Sequence, residues 1–191
     1  MTAGTMAAGV AWAIPAAERL RVPGARAALD RATFARVYEE HVDRLYRYAL
    51  RCCGEPALAE DIVAETFRRA LEHWTDFEWR GTPIAAWLYR IAGNVIAAHY
   101  RHAPALPLTP AANSTLADGM AGPEQTVLRA ERQREVRAAV ATLPLVQRQA
   151  ILLRYGEDLP IREIALALGR SEGATKQCLH RALLALHRAM A

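Results

Sequence analysis

The amino-acid sequence predicts an all-α protein of two small helical domains joined by a flexible linker. Apolar residues recur with the period of an α-helix, and no stretch alternates as a β-strand does. The composition changes at residues 103–125, where four prolines stand among Ser, Thr, Asn and Gly and leave nothing to pack a core. The predicted parts are therefore a flexible N-terminal extension (1–29), a first domain (30–102), the linker (103–125) and a second domain (126–191).

Three amphipathic helices are predicted in the first domain. The first covers residues 31–53, and Pro56 begins the second. Thr82 and Pro83 cap the third helix, after a loop over residues 76–83. The side chains expected to face the core are Phe34, Val37, Tyr38, Val42, Leu45, Tyr46 and Ala49, then Leu58, Ile62, Val63, Phe67, Ala70, Leu71 and Trp74, then Ile84, Trp87, Leu88, Ile91, Val95 and Ile96.

The second domain ends in a predicted helix-turn-helix. One helix from Gly122-Pro123-Glu124 to Leu143 and another over residues 144–155 precede it. The first helix of the motif begins at Pro160, where a missing N–H is harmless, and Gly169 ends it in a left-handed conformation. Ser171 is a good N-cap for the second helix. This layout is typical of a motif whose second helix enters a major groove.

The second helix of the motif separates apolar from polar residues. Its predicted inward residues are Ala174, Leu179, Ala182, Leu183 and Leu186, and its predicted outward residues are Lys176, Gln177, His180, Arg181 and Arg188. Residues 127–191 carry 11 Arg or Lys against 6 Asp or Glu, whereas residues 31–102 carry 10 of each. The excess positive charge thus lies with the helix-turn-helix, as phosphate binding requires. An ordinary helical hairpin with a solvated basic face is the alternative interpretation.

Other classes of function have little support in the sequence. Cys52, Cys53 and Cys178 form no CxxC pair, so we expect no metal site and a reducing cytoplasm. No apolar run is long enough to cross a bilayer. Asp61 and Glu65 lie one helical turn apart, but no histidine stands at ligand spacing with them, and no nucleophile–base pair or phosphate-binding loop is present. We expect neither a catalytic residue nor a cofactor.

Four stretches resemble those of a known family, in order and in spacing. They are AEDIVAETFRRA (59–70), RGTPIAAWLYRIAGNVIAAHYR (80–101), LPLVQRQAILLRY (143–155) and SEGATKQCLHRALLALHR (171–188). The chain is similar in them to the extracytoplasmic-function (ECF) sigma factors, bacterial transcription-initiation subunits that retain only regions two and four of the sigma-70 family. The resemblance implies core RNA polymerase and promoter DNA as partners, and an anti-sigma protein as a further candidate partner.

The resemblance also implies roles for individual residues. In the family, the second helix of region two docks on the clamp helices of the largest polymerase subunits, and the matching positions here are Asp61, Glu65, Thr66, Phe67 and Arg68. The following loop and helix capture the melted minus-ten element, and the matching positions are Phe77, Trp79, Arg80, Trp87, Arg90, Asn94 and Arg101. Aromatic and arginine planes suit unstacked bases, although Trp87 and Trp74 are expected to be core rather than base platforms.

Region four of the family reads the minus-thirty-five element with the second helix of its helix-turn-helix. The matching base-reading positions are Lys176, Gln177, His180 and Arg181, with Arg162, Arg170 and Ser171 beside them for the DNA backbone. The chain departs from the family pattern at Ala98, His102, Thr175 and Cys178, which affects the expected promoter sequence. A free-standing helix-turn-helix regulator is the alternative function, but it leaves the aromatic loop and the helix over residues 59–70 unexplained.

Overall fold

The structure, a computed structural model, describes residues 31–74, 82–102 and 123–191. Within those ranges the chain forms seven α-helices and one π-helical turn, without a strand, which confirms the all-α prediction. The elements are α1 (Arg31–Cys53), α2 (Pro56–Glu72), α3 (Ile84–His102), α4 (Pro123–Thr142), α5 (Leu145–Ile151), the π-helical turn (Leu152–Gly156), α6 (Ile161–Leu168) and α7 (Glu172–Met190). The predictions for the N-terminal extension, for most of the linker and for Phe77, Trp79 and Arg80 lie outside the described residues.

The first three helices pack around an apolar core. Gly54 has a φ of 78°, which lets the chain turn between α1 and α2, and its N–H donates to the Leu50 carbonyl at 2.7 Å. At the other end of this pair, the Phe34 ring meets Phe67 and Trp74 edge-on, with centroids 6.3 and 5.1 Å apart. Such edge-to-face contacts add to the burial of apolar area. The helices predicted for this domain are therefore present, and Trp74 is a core residue as expected.

Three side chains that were predicted to face the core are exposed instead. They are Tyr38 (44%), Leu71 (53%) and Leu183 (43%). Each directly follows a fully buried residue in its helix, and one residue turns a helical side chain by about 100° away from its predecessor. The apolar stripe in the sequence is thus wider than the surface that neighbouring helices cover.

The second half of the fold contains the predicted helix-turn-helix. α5 continues directly into the π-helical turn, where the Glu157 N–H donates to the Leu152 carbonyl at 3.1 Å. This wider turn ends the helix that was predicted over residues 144–155 and redirects the chain into α6. α6 then packs against α7. Ile164 and Ala165 of α6 and Leu179 of α7 are buried in this part of the fold.

The two halves pack against each other, which the sequence did not indicate. α3 of the first half lies against α6 of the helix-turn-helix, and buried side chains from both halves form one continuous cluster. Leu45 and Ile96 belong to it from the first half, and Leu153 and Ile164 from the second. None of the helices described is long and apolar enough to cross a membrane.

Candidate nucleic-acid interface

The turn of the helix-turn-helix is fixed by backbone and side-chain caps at both helix ends. Gly169 has a φ of 62°, and its N–H donates to the Leu166 carbonyl at 3.1 Å. The Arg170 N–H donates to the Ala165 carbonyl at 2.9 Å, which completes a Schellman motif at the end of α6. Ser171 then caps α7, because its Oγ accepts from the Ala174 N–H at 3.2 Å. The predicted glycine stop and serine cap are both present.

α7 presents its polar side chains to solvent at the start of the helix. Lys176, Gln177, His180 and Arg181 are exposed and line one open surface cavity of about 440 Å³. They form two i, i+4 pairs, so all four side chains lie on adjoining turns. Arg170 and Ser171 are exposed just before them, and Arg162 is half-buried on α6. This surface can donate hydrogen bonds to base edges and phosphates over about two helical turns.

Thr175 and Cys178 belong to the core of the helix-turn-helix rather than to its exposed basic side. Thr175 is fully buried, and its Oγ1 donates to the Ser171 carbonyl at 2.9 Å. Cys178 is 3% exposed, with its Sγ 3.9 Å from the Val146 carbonyl oxygen. From the sequence, both positions were identified only as departures from the pattern of the ECF sigma factors, and their burial was not predicted. The i, i+3, i+4, i+7 spacing of Thr175, Cys178, Leu179 and Ala182 is the signal that identifies them as inward-facing.

α3 carries a second polar stripe. Trp87, Arg90, Asn94 and Arg101 fall within about 60° of one another at 100° per residue. Arg90, Asn94 and Arg101 are exposed, and Trp87 is half-buried, with its ring 6.3 Å from that of Trp74. The structure thus brings together the four predicted minus-ten residues that it describes. Trp87 is partly buried and packs against the core, as expected.

The exposed face of α2 is a network of ion pairs. Arg68 donates from Nε and NH2 to the two oxygens of Glu65, at 2.7 and 2.8 Å, and Arg69 Nε donates to Glu65 Oε1 at 2.6 Å. Arg68 also pairs with Glu72. The hydrogen bonds from Arg68 and Arg69 lower the pKa of Glu65 to about 2. Glu65 is therefore a permanent anion whose charge is already shared with two arginines, and Asp61 beside it is exposed.

Two of the residues predicted to dock on polymerase lie inside the domain. Phe67 is 5% exposed, as expected, and packs against Phe34 and Tyr38. Thr66 is fully buried, and its Oγ1 donates to the Ile62 carbonyl at 2.6 Å. Thr66 was predicted to belong to the exposed polar face of α2, and the structure places its side chain in the core instead. Thr66 directly follows Glu65, and a step of one residue turns a helical side chain by about 100°, which directs Thr66 toward the core.

These surfaces are typical of a two-module DNA-binding protein: a helix-turn-helix with an exposed basic face, and a helical bundle with a tryptophan–arginine stripe. Residues 37–104 match the family model for sigma-70 region 2, and residues 133–186 match that for sigma-70 region 4. The chain belongs to the ECF group of the sigma-70 family of RNA polymerase sigma factors.

Named relatives agree with this assignment. The ECF RNA polymerase sigma factor SigL of Mycobacterium tuberculosis is 34% identical over 166 residues, which cover 87% of this chain and 93% of SigL. The ECF RNA polymerase sigma factor BldN of Streptomyces coelicolor is 33% identical over 156 residues, 81% of this chain but only 59% of BldN. SigW of Bacillus subtilis is 30% identical over 83% of this chain and 89% of SigW.

Two solved structures have the same fold. CnrH, solved in complex with the cytosolic domain of CnrY, superposes with a TM-score of 0.62 at 23% identity, covering 84% of this chain and 89% of CnrH. The sigma factor RpoE of Bartonella quintana, solved with the anti-sigma factor NepR, superposes with a TM-score of 0.66 at 21% identity, over 83% of this chain and 96% of RpoE.

Proposed function

We propose that the protein binds core RNA polymerase and directs it to start transcription at selected promoters, without catalysis of its own. It acts in the cytoplasm, where polymerase and chromosome meet. The observation that supports this most is the presence of both family modules on one chain, with the basic face of α7 open to solvent. A module that holds DNA and a module that engages polymerase are together sufficient to select a start site.

Docking on polymerase is assigned to the exposed face of α2. Asp61, Glu65 and Arg68 offer a pattern of charges in which a two-point ion pair joins Glu65 and Arg68. An acidic and polar face of this kind complements a basic coiled coil. Phe67 supports the face from below by packing against α1, and Thr66 contributes through its hydrogen bond to the α2 backbone.

Strand opening is assigned to α3 and the loop before it. Arg90, Asn94 and Arg101 can hold the phosphates and edges of a displaced strand, and the open side of Trp87 is a surface for an unstacked base. Phe77, Trp79 and Arg80 are further candidates for stacking. Each stacked base contributes about 1–3 kcal/mol, so a few contacts can trap a melted strand.

Recognition of the minus-thirty-five element is assigned to α7. Lys176 and Arg181 can donate to guanine O6 and N7, and Gln177 can pair with adenine. His180 lies between them on the same face, and Arg162 and Arg170 are suited to phosphates. Two tethered modules bind two weak sites as one selective site, because the linker raises the effective concentration of the second contact.

Run-off transcription with purified core polymerase on a genomic fragment library tests this function. We expect transcripts from a small set of templates that share two spaced elements, and a loss of at least fivefold for Lys176→Ala and for Arg181→Ala. The matched control is Arg137→Ala, an exposed arginine on α4 that is not part of the α7 face, which should leave the yield unchanged. A protein that binds duplex DNA tightly yet never associates with core polymerase would instead be a free-standing regulator.

An anti-sigma protein is a second proposed partner. CnrH and RpoE, which share the fold, were both solved in complexes, CnrH with part of CnrY and RpoE with the anti-sigma factor NepR. Exposed apolar side chains on α7 (Leu183, Leu184 and Met190) beside its basic face favour an amphipathic protein partner as well as DNA. Co-purification of a chain that blocks transcription, and whose binding Leu184→Glu abolishes, tests this assignment.

A further inference from the structure

Gly173 lies in the first turn of α7, where glycine is among the least favourable residues for helix stability. Its φ is not positive, unlike those of Gly54 and Gly169, so the backbone conformation does not require a glycine. No atom of the described residues lies within 4 Å of a Cβ built on Gly173, so close packing does not require one either. Within the part of the chain that the structure describes, neither cause explains this glycine.

Gly173 lies on the midline of the exposed basic face of α7. At about 100° per residue, Lys176 and His180 form one row along the helix. Gln177 and Arg181 form a second row, about 100° around the helix from the first. These two rows line the open cavity of about 440 Å³. Gly173 falls within about 10° of the line midway between them, so exposed backbone without a side chain stands at the start of this line.

The other end of the same line carries a bulky side chain. Leu184 follows Gly173 by eleven residues, which returns it to within about 20° of the same direction and places it about 16 Å further along the helix. Its side chain is 45% exposed. A surface that approaches α7 can therefore touch the backbone at Gly173 but is held away from it at Leu184. The first two turns of α7 are the part that can come closest to a partner.

The dimensions of duplex DNA give this difference a consequence. The major groove is about 12 Å wide, and a helix with its side chains is about 10–12 Å across, so a helix inside the groove has little free space. Hydrogen bonds from its side chains to base edges need donor–acceptor distances of about 2.7–3.2 Å. One added carbon at the point of closest approach can move the helix outward by up to about 1.5 Å, the length of one carbon–carbon bond. Such a shift takes those distances out of range.

Resting on the function proposed above, we infer that Gly173 is a positioning residue for promoter recognition: its missing side chain lets the first two turns of α7 lie deep enough in the major groove for Gln177 and Arg181 to reach base edges. The ligand at this point is the base-pair edges of the minus-thirty-five element. Phosphate contacts carry no sequence information, and the long side chains of lysine and arginine can still make them from a shallower position. Gly173 therefore contributes to selectivity for the element more than to attraction to DNA in general.

Gly173→Ala in the full-length protein tests this role, because it adds one methyl group and no charge. Variant and wild type, each bound to core polymerase, are titrated with a fluorescent promoter duplex recovered from the genomic library and with the same duplex carrying a scrambled minus-thirty-five element. We expect the affinity for the intact promoter to fall by about fivefold or more, as contacts to base edges are lost. The affinity for the scrambled promoter should stay within about twofold, since phosphate contacts remain. The midpoint of urea unfolding should not decrease.

Gly173→Leu and Ala138→Leu form a matched pair. Both place a leucine at an exposed position of a helix, but Ala138 lies on α4 and not on the α7 face. Gly173→Leu should lower the affinity for the intact promoter further than Gly173→Ala does, whereas Ala138→Leu should leave it unchanged. The slope of log affinity against log salt should be the same for Gly173→Ala and wild type, because the number of neutralised phosphates is the same. A merely structural defect in α7 would lower the urea midpoint instead.

The outcomes separate this role of Gly173 from the proposed function. Equal promoter affinity for wild type and Gly173→Ala, or equal losses on the intact and scrambled promoters, would overturn the role of Gly173 and leave the proposed function intact. If the wild-type protein never binds core polymerase, the proposed function fails, and the same variants are compared on a duplex that the free protein selects from a random library. A selective loss there supports the role of Gly173 in a free-standing regulator. A protein that binds neither core nor any duplex overturns both proposals.

Discussion

At the scale of single residues, burial decides how a side chain titrates. His41 is 8% exposed within α1, and burial together with the nearby Arg44 guanidinium lowers its pKa to about 4. Because the ordinary value is near 6.5, the folded state binds the proton less readily than the unfolded chain does. The contribution of neutral His41 to stability is therefore complete above about pH 6.5 and is lost as the pH falls toward 4.

We predict that the free energy of unfolding decreases between pH 6.5 and 4 by on the order of 3 kcal/mol from this one group. His41→Gln should remove most of that pH dependence. Urea unfolding followed by circular dichroism at half-unit pH steps measures it. An equally steep decrease in the variant would assign the effect to other groups.

Glu65 and Thr66 show how adjacent residues receive different roles. Glu65 is held at the surface by two arginines, whereas Thr66 is buried and bonded to the helix backbone. We predict that Thr66→Ser keeps the affinity for core polymerase within about twofold, since the buried hydroxyl is retained. Asp61→Ala, which removes an exposed charge, should weaken binding at least tenfold. Fluorescence anisotropy of labelled protein titrated with core measures both, and equal losses would place Thr66 in direct contact.

At the scale of elements, the helix-turn-helix was predictable because each local signal agrees with the others. Gly169 in the left-handed region and Ser171 as N-cap were identified from residue type and spacing alone. The positions that were missed lack a distinctive type. The residue types of Thr175 and Cys178 do not by themselves indicate burial. Their helical spacing with Leu179 places them on the inward face of α7.

Two alanine substitutions four residues apart test the turn between α6 and α7. Gly169→Ala forces a side chain into φ 62° and should destabilise the protein by about 1–2 kcal/mol. Gly173→Ala lies in the first turn of α7, and no atom lies within 4 Å of the added Cβ, so it should be neutral or stabilise by up to about 1 kcal/mol. Equal changes in the urea midpoint would contradict the left-handed cap.

Exposed apolar residues on α1, α2 and α7 were not predictable from the stripe pattern. Leu71 and Leu183 continue an apolar stripe in the sequence, but the covered width of a helix depends on how far its neighbours extend. That width is a property of the tertiary packing. Sequence periodicity gives the centre of the buried face and not its edges.

At the scale of the whole molecule, the sequence predicts two helical modules but not their mutual packing. No sequence pattern marks Glu157, Arg148 and Arg44 as contacts between the halves, because their partners lie about 100 residues away in the chain. The proline-rich composition of residues 103–125 suggested independent domains on a tether. Complementary carbonyls, carboxylates and guanidinium groups at the interface become visible only when both halves are folded.

The candidate nucleic-acid interface is divided between the two halves of the molecule. The stripe on α3 and the face of α7 belong to different halves, and each was assigned correctly to its helix from the sequence. In the structure α3 packs against α6 of the other half, so both polar surfaces lie on one folded body. Function in this protein therefore depends on an arrangement of modules as much as on the residues they present.

The most direct test is transcription by purified core polymerase supplied with this protein on a promoter recovered from the genomic library. The account predicts transcripts from one start site that vanish when either spaced element is scrambled, and that fall at least fivefold with Arg181→Ala but not with Arg137→Ala. Failure of the protein to associate with core polymerase or to initiate RNA from any template would contradict it.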